Sequence, residues 1–318
     1  MAGDKIIGVL ADCFLAPVEA VSVNIAEVKD RKEISDLLRN LEQMCPLEKL
    51  KHLKRVKYSK RNDGTDKFEI ILCPTVKGEN VLQDILSKNI CLHKARIANV
   101  PAKLPFTRHQ FSEASKLWPT KFHEDKRLSK LMEGTLFQKE EVDRIYSHME
   151  QALDVAKTSL HPSQVCIGAC IVDPKSNEVV ASASDHRHGH PLHHAVMVCI
   201  DEVAHGQGTG AFQKYSKHLN YTIGPGSDAK QPKDQSEDSI KENYLCTGLD
   251  LYCTREPCVM CAMALVHSRI GRVFYGASDP CGALGTQYKV HTKEGLNHNF
   301  EVFKGVLESE CISLNMNS

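Results

Sequence analysis

The segment Arg255–Leu265 reads REPCVMCAMAL and combines a strand end, a helix start and a pair of metal-binding side chains. Pro257 suits the first turn of a helix, because a backbone N–H has no partner there. Cys258 and Cys261 lie three residues apart, so both face one side of that turn. The helix dipole favours the thiolate form that a metal requires. Two thiolates at this spacing supply half of a tetrahedral zinc site, although an isolated pair can also be a redox pair or two core cysteines.

Strands and helices alternate around this segment, which predicts an α/β sandwich. The apolar patterns predict helices over 140–160 and 193–204, a helix from Pro257, and strands over 165–173, 179–184, 244–254, 272–278 and 300–306. Residues 206–243 are polar, contain Gly and Pro, and show no apolar periodicity. We expect that stretch to be a flexible surface insertion.

The first hundred residues show a different order of elements. Alternating or helical apolar patterns predict strand 19–28, helix 31–45, strand 53–60, strand 67–73, helix 79–89 and strand 94–101. Asp63-Gly64 between the second and third strands is a strong hairpin signal. The order βαββαβ predicts a ferredoxin-like α+β domain over 1–101. A linker with a basic segment is expected over 102–139, followed by the α/β domain over 140–318.

The composition is that of a folded chain, and we expect the apolar stretch 6–16, which Asp12 interrupts, to be a buried strand or loop rather than a targeting segment. The 318 residues include 40 basic and 40 acidic side chains, and 42% are hydrophobic, which excludes a mainly disordered or membrane-embedded protein. The charge is unevenly distributed, because residues 1–150 carry a net +4 and residues 151–318 a net −4. Thirteen scattered cysteines indicate reduced thiols rather than a disulfide framework. A cytosolic or nuclear location is expected, with no membrane partner.

A third metal ligand is suggested by HPLHHAVMV, which places His193 and His194 at the start of a predicted helix. The order of this segment and the Cys258–Cys261 pair matches H-x-E…P-C-x-x-C, the signature of zinc nucleobase deaminases, at all but one position. We therefore predict that His194, Cys258 and Cys261 bind Zn²⁺.

These motifs resemble the cytidine and tRNA adenosine deaminase superfamily. HAVMVCID is similar to the family's first zinc helix and EPCVMCAMAL to its second, while HSRIGRVFYGASDPCGALG and LNHNFEVFKGVL resemble later segments of bacterial tRNA adenosine deaminases. The resemblance covers about residues 140–310 and contains four motifs in order. It implies a cytidine-deaminase-like α/β/α sandwich for the second half of the chain.

The departure from the signature is Val196, which stands where the family has its catalytic glutamate. Valine cannot take a proton from the activated water or deliver protons to the base, and losing a general acid/base costs roughly 10²–10⁴ in rate. No catalytic residue is therefore assigned. A deaminase domain with valine here and an N-terminal extension resembles the non-catalytic subunits of eukaryotic heterodimeric tRNA adenosine deaminases, which convert the wobble adenosine to inosine. That resemblance implies a glutamate-bearing catalytic partner and recruitment of tRNA by the extension. The expected location is the nucleus and cytoplasm.

Two basic clusters support an RNA partner. The first has seven cations in thirteen residues: Lys49, Lys51, Lys54, Arg55, Lys57, Lys60 and Arg61. The second comprises Lys121, Lys126, Arg127 and Lys130, diluted by two acids. A solvated surface is the alternative for both clusters. The strand KFEIILC lacks the paired aromatics that stack bases in RNA-recognition motifs, so we expect recognition of tRNA shape and backbone.

Two other functions are compatible with the sequence. The chain could be a self-sufficient nucleoside or nucleotide deaminase that uses Glu202 or Glu256 as its base. Glu256 is more readily interpreted as support for its loop, and Glu202 as a surface residue far from the metal. The chain could also be an RNA-binding protein whose deaminase-like domain is purely structural.

Overall fold

The computed structural model describes residues 6–158, 166–208, 210 and 245–314. Its helices are α1 (Asp12–Leu15), α2 (Ile34–Met44), α3 (Glu79–Lys88), α4 (Arg108–Leu117), α5 (Lys126–Glu133), α6 (Lys139–Lys157), α7 (Ala195–Gly206), α8 (Val259–His267) and α9 (Glu308–Ser313). Its strands are β1 (Ile7–Gly8), β2 (Ala20–Val28), β3 (Val56–Lys60), β4 (Asp66–Pro74), β5 (Leu92–Pro101), β6 (Gly168–Asp173), β7 (Glu178–Ser184), β8 (Asp250–Arg255), β9 (Arg272–Ala277) and β10 (Glu301–Lys304).

The chain divides into two units, and the division differs from the predicted boundaries. Asp12–Ser129 forms one unit, called here the N-terminal unit. Met1–Ala11 and Lys130–Ser318 together form the other, the C-terminal unit. The segment 102–139, expected to be a linker, contains α4 and α5 and is shared between the two units.

The N-terminal unit has the predicted ferredoxin-like topology. Its four strands pair in the order β3-β4-β2-β5, and every neighbouring pair is antiparallel. α2 connects β2 to β3, and α3 connects β4 to β5. Gly64 in the β3–β4 turn has φ +81°, a left-handed conformation that glycine adopts without strain. The predicted βαββαβ order is therefore confirmed.

The two faces of this sheet have different coverings. One face packs against Leu37 and Leu41 of α2 and Ile85 of α3. The opposite face is covered in part by an apolar cluster that includes Leu47, Leu50, Leu53, Trp118 and, from the strands, Val23, Ile25, Ile71 and Val100. Trp118 is 1% exposed, and its indole N–H donates to the Lys54 carbonyl over 2.7 Å. Residues up to Trp118 therefore belong to this unit because the indole completes its core, and an end at residue 101 is too early.

The C-terminal unit is built on a six-stranded mixed sheet of order β1-β10-β9-β8-β6-β7. β8, β9 and β10 run parallel, whereas β6, β7 and β1 pair antiparallel with their neighbours. The short strand β1 pairs Ile7 with Lys304 and Gly8 with Phe303. This long-range pairing explains why the first residues of the chain belong to the C-terminal unit.

Helices cover both faces of this sheet. α6 and α9 contribute Ile145, Met149 and Cys311 to one apolar cluster, and α7 and α8 contribute Val198 and Leu265 to the other. The predicted α/β/α sandwich is therefore confirmed. Almost all of the predicted insertion at 206–243 lies outside the described residues. Within the part of the chain that the structure describes, no helix has the length and apolar character needed to cross a bilayer.

Candidate metal centre

Two helix N-termini bring the three predicted metal ligands together. His194 is the N-cap residue of α7, and Cys258 is the N-cap residue of α8. Cys261 lies in the first turn of α8 and is 2% exposed. Pro257 precedes the cap rather than occupying the first helical turn, so it fixes the entry of the chain into α8.

The distances fit a tetrahedral zinc ion. His194 Nδ1 lies 3.6 Å from Cys258 Sγ and 3.5 Å from Cys261 Sγ, and all three ligand atoms lie within 4.8 Å of one another. Zn–S bonds of about 2.3 Å and Zn–N bonds of about 2.0–2.1 Å at tetrahedral angles place nitrogen and sulfur roughly 3.6 Å apart. Among the described residues this is the one such group of His, Cys, Asp or Glu side chains. The donor set and its spacing therefore suit zinc.

The electrostatics of the site favour an anionic sulfur. The pKa of Cys258 is lowered to about 5, first by the hydrogen bond that the Cys261 thiol donates and also by the Cys261 backbone N–H and His194, against the effect of burial. The pKa of Cys261 is raised, first because its thiol donates that bond and then because it is buried. Cys258 is therefore the sulfur that ionises first, and a metal binds both sulfurs as thiolates, so metal binding releases protons.

Val196 lies two residues after His194 and is part of the protein core. It is 3% exposed and belongs to the same apolar cluster as Cys261 and Ala262. An aliphatic side chain has no proton to transfer. The second residue of α7 therefore packs against its neighbours at the place where the signature has an acid/base.

Glu256 is a structural carboxylate. It is 4% exposed and accepts hydrogen bonds from the backbone N–H groups of Asp279 (3.1 Å), Leu284 (3.0 Å) and Thr286 (3.0 Å). The Thr286 hydroxyl donates a further bond. The carboxylate thus holds the 279–286 loop, as the sequence interpretation expected, and its acceptor capacity is used there.

This loop supports the start of α8. Cys258 forms an isolated antiparallel bridge with Gly282, and the Ala283 N–H donates to the Pro257 carbonyl over 2.9 Å. A Cβ atom on Gly282 would lie 2.1 Å from Cδ of Glu256, so a side chain here would displace a carboxylate that is held by hydrogen bonds. Gly282 is not among the predicted site residues, although the turn residues Asp279 and Pro280 shortly before it are a usable signal.

Replacing Glu256 with alanine should destabilise the C-terminal unit by roughly 2–4 kcal/mol, because four donors lose their buried partner. Urea unfolding of the zinc-loaded chain, followed by circular dichroism, measures this effect. Glu294→Ala removes an exposed carboxylate from the same unit and should have little effect. Equal losses of stability in the two variants would contradict the support role.

The comparisons with known proteins agree with this geometry. Residues 21–118 match the tRNA-specific adenosine deaminase TAD3 N-terminal domain, and residues 143–277 match the cytidine and deoxycytidylate deaminase zinc-binding region. The probable inactive tRNA-specific adenosine deaminase-like protein 3 of Danio rerio is 42% identical over 321 residues, which cover 98% of this chain and 94% of that protein. This chain belongs to the TAD3 family.

Two further relatives differ in how much of the chain they match. The tRNA-specific adenosine deaminase subunit tad3 of Schizosaccharomyces pombe is 29% identical over 263 residues, covering 81% of this chain and 75% of that protein. The tRNA-specific adenosine deaminase of Bacillus subtilis is 33% identical over 172 residues, covering 53% of this chain and 83% of that protein. TAD3-type relatives therefore match most of the chain, and the bacterial enzyme about half of it.

Glu202, the other acid considered as a base, lies away from the metal centre of this TAD3-family chain. It follows His194 by eight residues, or about 12 Å along the helix axis. Its Oε2 accepts a hydrogen bond from the Ser182 N–H over 3.2 Å. Burial raises the pKa of Glu202 to about 7, against the effect of that hydrogen bond, and Asp201 adds to the rise. Neither Glu202 nor Glu256 is therefore placed to replace the missing glutamate.

The raised pKa of Glu202 predicts a pH-dependent stability. Between its ordinary value of 4.5 and about 7, the folded chain keeps the proton that the unfolded chain releases. Stability should therefore fall as pH rises through this window, and Glu202→Gln should remove that contribution. Unfolding free energies at pH 5 and pH 8 measure the difference, with the exposed Glu178→Gln as the control. A wild-type pH profile in Glu202→Gln would contradict the assignment.

Arg55 was predicted to contact RNA, and its geometry argues against that prediction. Its side chain is 9% exposed. Its guanidinium donates to the carbonyls of Cys45 (2.8 Å), Ile71 (3.0 Å) and Leu72 (3.1 Å), and it also pairs with Glu42. Arg55 therefore holds the end of α2 against β4 and is not part of an exposed basic surface.

The other members of the first cluster occupy two kinds of position. Lys49, Lys51, Lys54 and Lys60 are exposed. Lys57 lies with Nζ 5.4 Å from the centre of the Trp118 ring and 3.5 Å from the Leu117 carbonyl oxygen. Arg61 forms an ion pair of 2.6 Å with Glu27. Contact of these residues with RNA stays a prediction.

The second cluster partly joins the first through the backbone. Its four members, Lys121, Lys126, Arg127 and Lys130, are all exposed. The Lys121 N–H donates to the His52 carbonyl over 2.7 Å, and the Lys54 N–H donates to the Pro119 carbonyl over 2.9 Å. Lys121 therefore lies beside the first cluster, whereas Lys130 falls in the C-terminal unit.

Proposed function

We propose that this chain is the non-catalytic, zinc-binding subunit of a two-subunit tRNA adenosine deaminase that converts the wobble adenosine to inosine. The observation that carries the proposal is the complete set of ligand side chains, His194, Cys258 and Cys261, beside a buried Val196. A site of this kind can hold a metal and cannot move protons. Membership of the TAD3 family and the inactive or subunit names of the relatives support this function.

In the proposal, zinc is held by Nδ1 of His194 and the sulfurs of Cys258 and Cys261. In an active deaminase such a zinc activates the water that attacks the base. In this chain the three ligands instead tie the N-terminus of α7 to that of α8, since they come from both helices. The role proposed for the metal here is structural.

The missing acid/base requires a partner. Proton transfer to the ring and to the leaving ammonia needs a carboxylate, and Glu256 and Glu202 are both engaged elsewhere. We therefore propose that a deaminase subunit with an intact glutamate pairs with this chain and performs the chemistry. This chain would stabilise that subunit and bring tRNA to it through the basic N-terminal unit.

The proposed location is the nucleus and cytoplasm, where thiols stay reduced. The buried Cys170, Cys199 and Cys253 are reduced thiols. Buried reduced thiols suit such a compartment.

A deamination assay tests the proposed function. The full chain is purified with zinc, alone and after co-expression with a glutamate-bearing deaminase subunit of the same organism. A tRNA transcript with adenosine at the wobble position is the substrate, and inosine is the product measured. We expect no inosine from the lone chain and robust conversion by the pair. Robust conversion by the lone chain would overturn the proposal, and inactivity of a stable pair would favour a purely structural deaminase-like domain.

A further inference from the structure

The face of the N-terminal sheet opposite α2 and α3 is apolar only in part. Beyond the cluster around Trp118, it bears two carboxylates, Glu27 on β2 and Glu69 on β4. Four cations lie around them: Arg61, Lys67, Lys94 and Arg96. We call these six residues the charged face.

Short ion pairs hold the charged face together. Glu27 lies 2.6 Å from Arg61, 3.4 Å from Lys67 and 3.8 Å from Lys94. Glu69 lies 3.0 Å from Lys67 and 2.7 Å from Arg96. Because Lys67 contacts both carboxylates, the six side chains form one continuous network across β2, β4, β5 and the end of β3.

The charges of this network are arranged in two layers. The carboxylate side chains of Glu27 and Glu69 are 10% and 4% exposed. The cations above them are more accessible, with Lys94 67% and Arg96 54% exposed. A partner approaching from solvent therefore meets ammonium and guanidinium groups, and the anions lie beneath them.

The buried carboxylates stay ionised and fix the positions of the cations. Burial alone raises the pKa of Glu27, but Arg61, Lys94 and Lys67 outweigh it and the net pKa is lowered. Burial likewise raises the pKa of Glu69, and Lys67 and Arg96 reverse that effect. Cations held in place lose less side-chain entropy when they bind an anion.

Further cations lie on the same side of the sheet. Leu47, Leu50 and Leu53 pack in the cluster that covers this face, and the lysines at positions 49, 51 and 54 of that covering segment are exposed. Lys57, over the Trp118 ring, lies on the strand that leads to Arg61. The opposite side differs in charge, because α2 and α3 together carry four acidic and two basic residues.

We infer that the charged face binds the phosphate backbone of RNA, with Lys94 and Arg96 as its most exposed contacts. This inference rests on the proposed function and assigns the surface through which tRNA is held. Phosphate is favoured over bases because the aromatic pair of the sheet, Tyr58 and Phe68, belongs to the other face: Phe68 packs in the cluster beneath α2 and α3. Stacking of unpaired bases needs exposed aromatics on the binding face.

A matched pair of double variants of the full chain tests the inference. Lys94→Gln/Arg96→Gln removes two exposed, ion-paired cations from the charged face. Arg39→Gln/Lys88→Gln removes two from the helix side, where Arg39 is 77% and Lys88 60% exposed and each is paired with an aspartate. Binding of the tRNA transcript is measured by fluorescence anisotropy between 50 and 200 mM salt, a range chosen because phosphate contacts are strongly salt-dependent there.

The charged-face variant should bind tRNA roughly tenfold or more weakly near 100 mM salt, and its slope of log K against log salt should fall by about 1.5, for two lost phosphate contacts. The helix-side variant should keep the affinity within about twofold. Unchanged affinity of the charged-face variant, or equal losses in both variants, would overturn the inference.

Two additional measurements keep the result interpretable. Loss of Arg96 leaves Glu69 paired with Lys67. Trp118, the single tryptophan of the chain, lies in the same unit, so its fluorescence reports whether that unit is folded. Lys94→Arg/Arg96→Lys retains the charges and should restore tRNA affinity. If the pair of subunits forms inosine while the charged-face variant binds tRNA normally, the inference fails and the proposed function stands.

Discussion

Replacing Cys261 with serine should remove zinc from this chain. The Cys261 sulfur is buried and lies 3.5 Å from Nδ1 of His194, so no water or exposed side chain can take its place without rearrangement of α8. A serine hydroxyl is not among the usual zinc ligands, and two remaining ligands do not form a stable site. We expect the zinc content of the lone chain, measured by mass spectrometry, to fall from about one ion per chain to near zero.

Loss of the metal should also lower stability. Structural zinc contributes apparent free energies of about 10–16 kcal/mol in small zinc-finger peptides, and there it supplies most of the folding free energy. Here a six-stranded sheet with two apolar clusters supports the unit as well. We therefore expect a smaller loss, on the order of several kcal/mol at saturating zinc.

A chelator separates the loss of metal from the loss of packing. The wild-type chain should become less stable to heat when a strong zinc chelator is added, whereas Cys261→Ser should not respond to it. Cys281→Ser is the matched control, because Cys281 is an exposed thiol on the loop that supports α8. Wild-type zinc content in Cys261→Ser, or zinc loss in Cys281→Ser, would contradict the ligand assignment.

The elements of both units were largely predictable because their signals are local. The Asp63-Gly64 turn defines the β3–β4 hairpin, and the alternation of apolar residues on β2 defines the two faces of the N-terminal sheet. The spacing of Cys258 and Cys261 places both on one turn wherever the helix lies. His194 required more than spacing, because only the order of motifs in a known family connected it to a segment about sixty residues away.

The features that escaped prediction depend on distant contacts. β1 is two residues long and pairs with a strand near residue 303. α4 buries only Gln110 and Ala114, so its pattern carries little information, and Trp118 is assigned to the N-terminal core only by its contacts across the sheet.

The roles of the cations in the first basic cluster also depend on distant contacts that the sequence does not show. Lys49–Arg61 looks uniform in sequence, yet Arg55 is buried among carbonyls and Arg61 joins the charged face. Lys94 and Arg96 lie outside both predicted clusters, and two strands bring them beside Glu27 and Glu69. Charge counted along a chain does not distinguish a cation that braces the fold from one that faces a ligand.

Substitution at equivalent positions of the two subunits of the proposed deaminase should affect inosine formation very differently. Changing the catalytic glutamate of the partner to glutamine should reduce inosine formation by about 10²–10⁴ or more, because one carboxylate serves several proton transfers. Val196→Ala in this chain should leave kcat/KM within about threefold. It removes two methyl groups from a packed site, which costs roughly 1–3 kcal/mol in stability and no proton transfer. Single-turnover deamination of the tRNA transcript by each reconstituted pair measures both effects.

Installing a carboxylate in this chain should not repair the defective pair. Val196 is 3% exposed within an apolar cluster. Val196→Glu therefore buries a carboxyl group among apolar side chains and should destabilise the unit by several kcal/mol. With the partner's glutamate replaced, Val196→Glu should therefore yield no inosine above background. A loss of a hundredfold or more in Val196→Ala at full zinc occupancy would instead show that this site takes part in the chemistry. The proposal that this chain holds a structural metal and its partner the catalytic one would then be wrong.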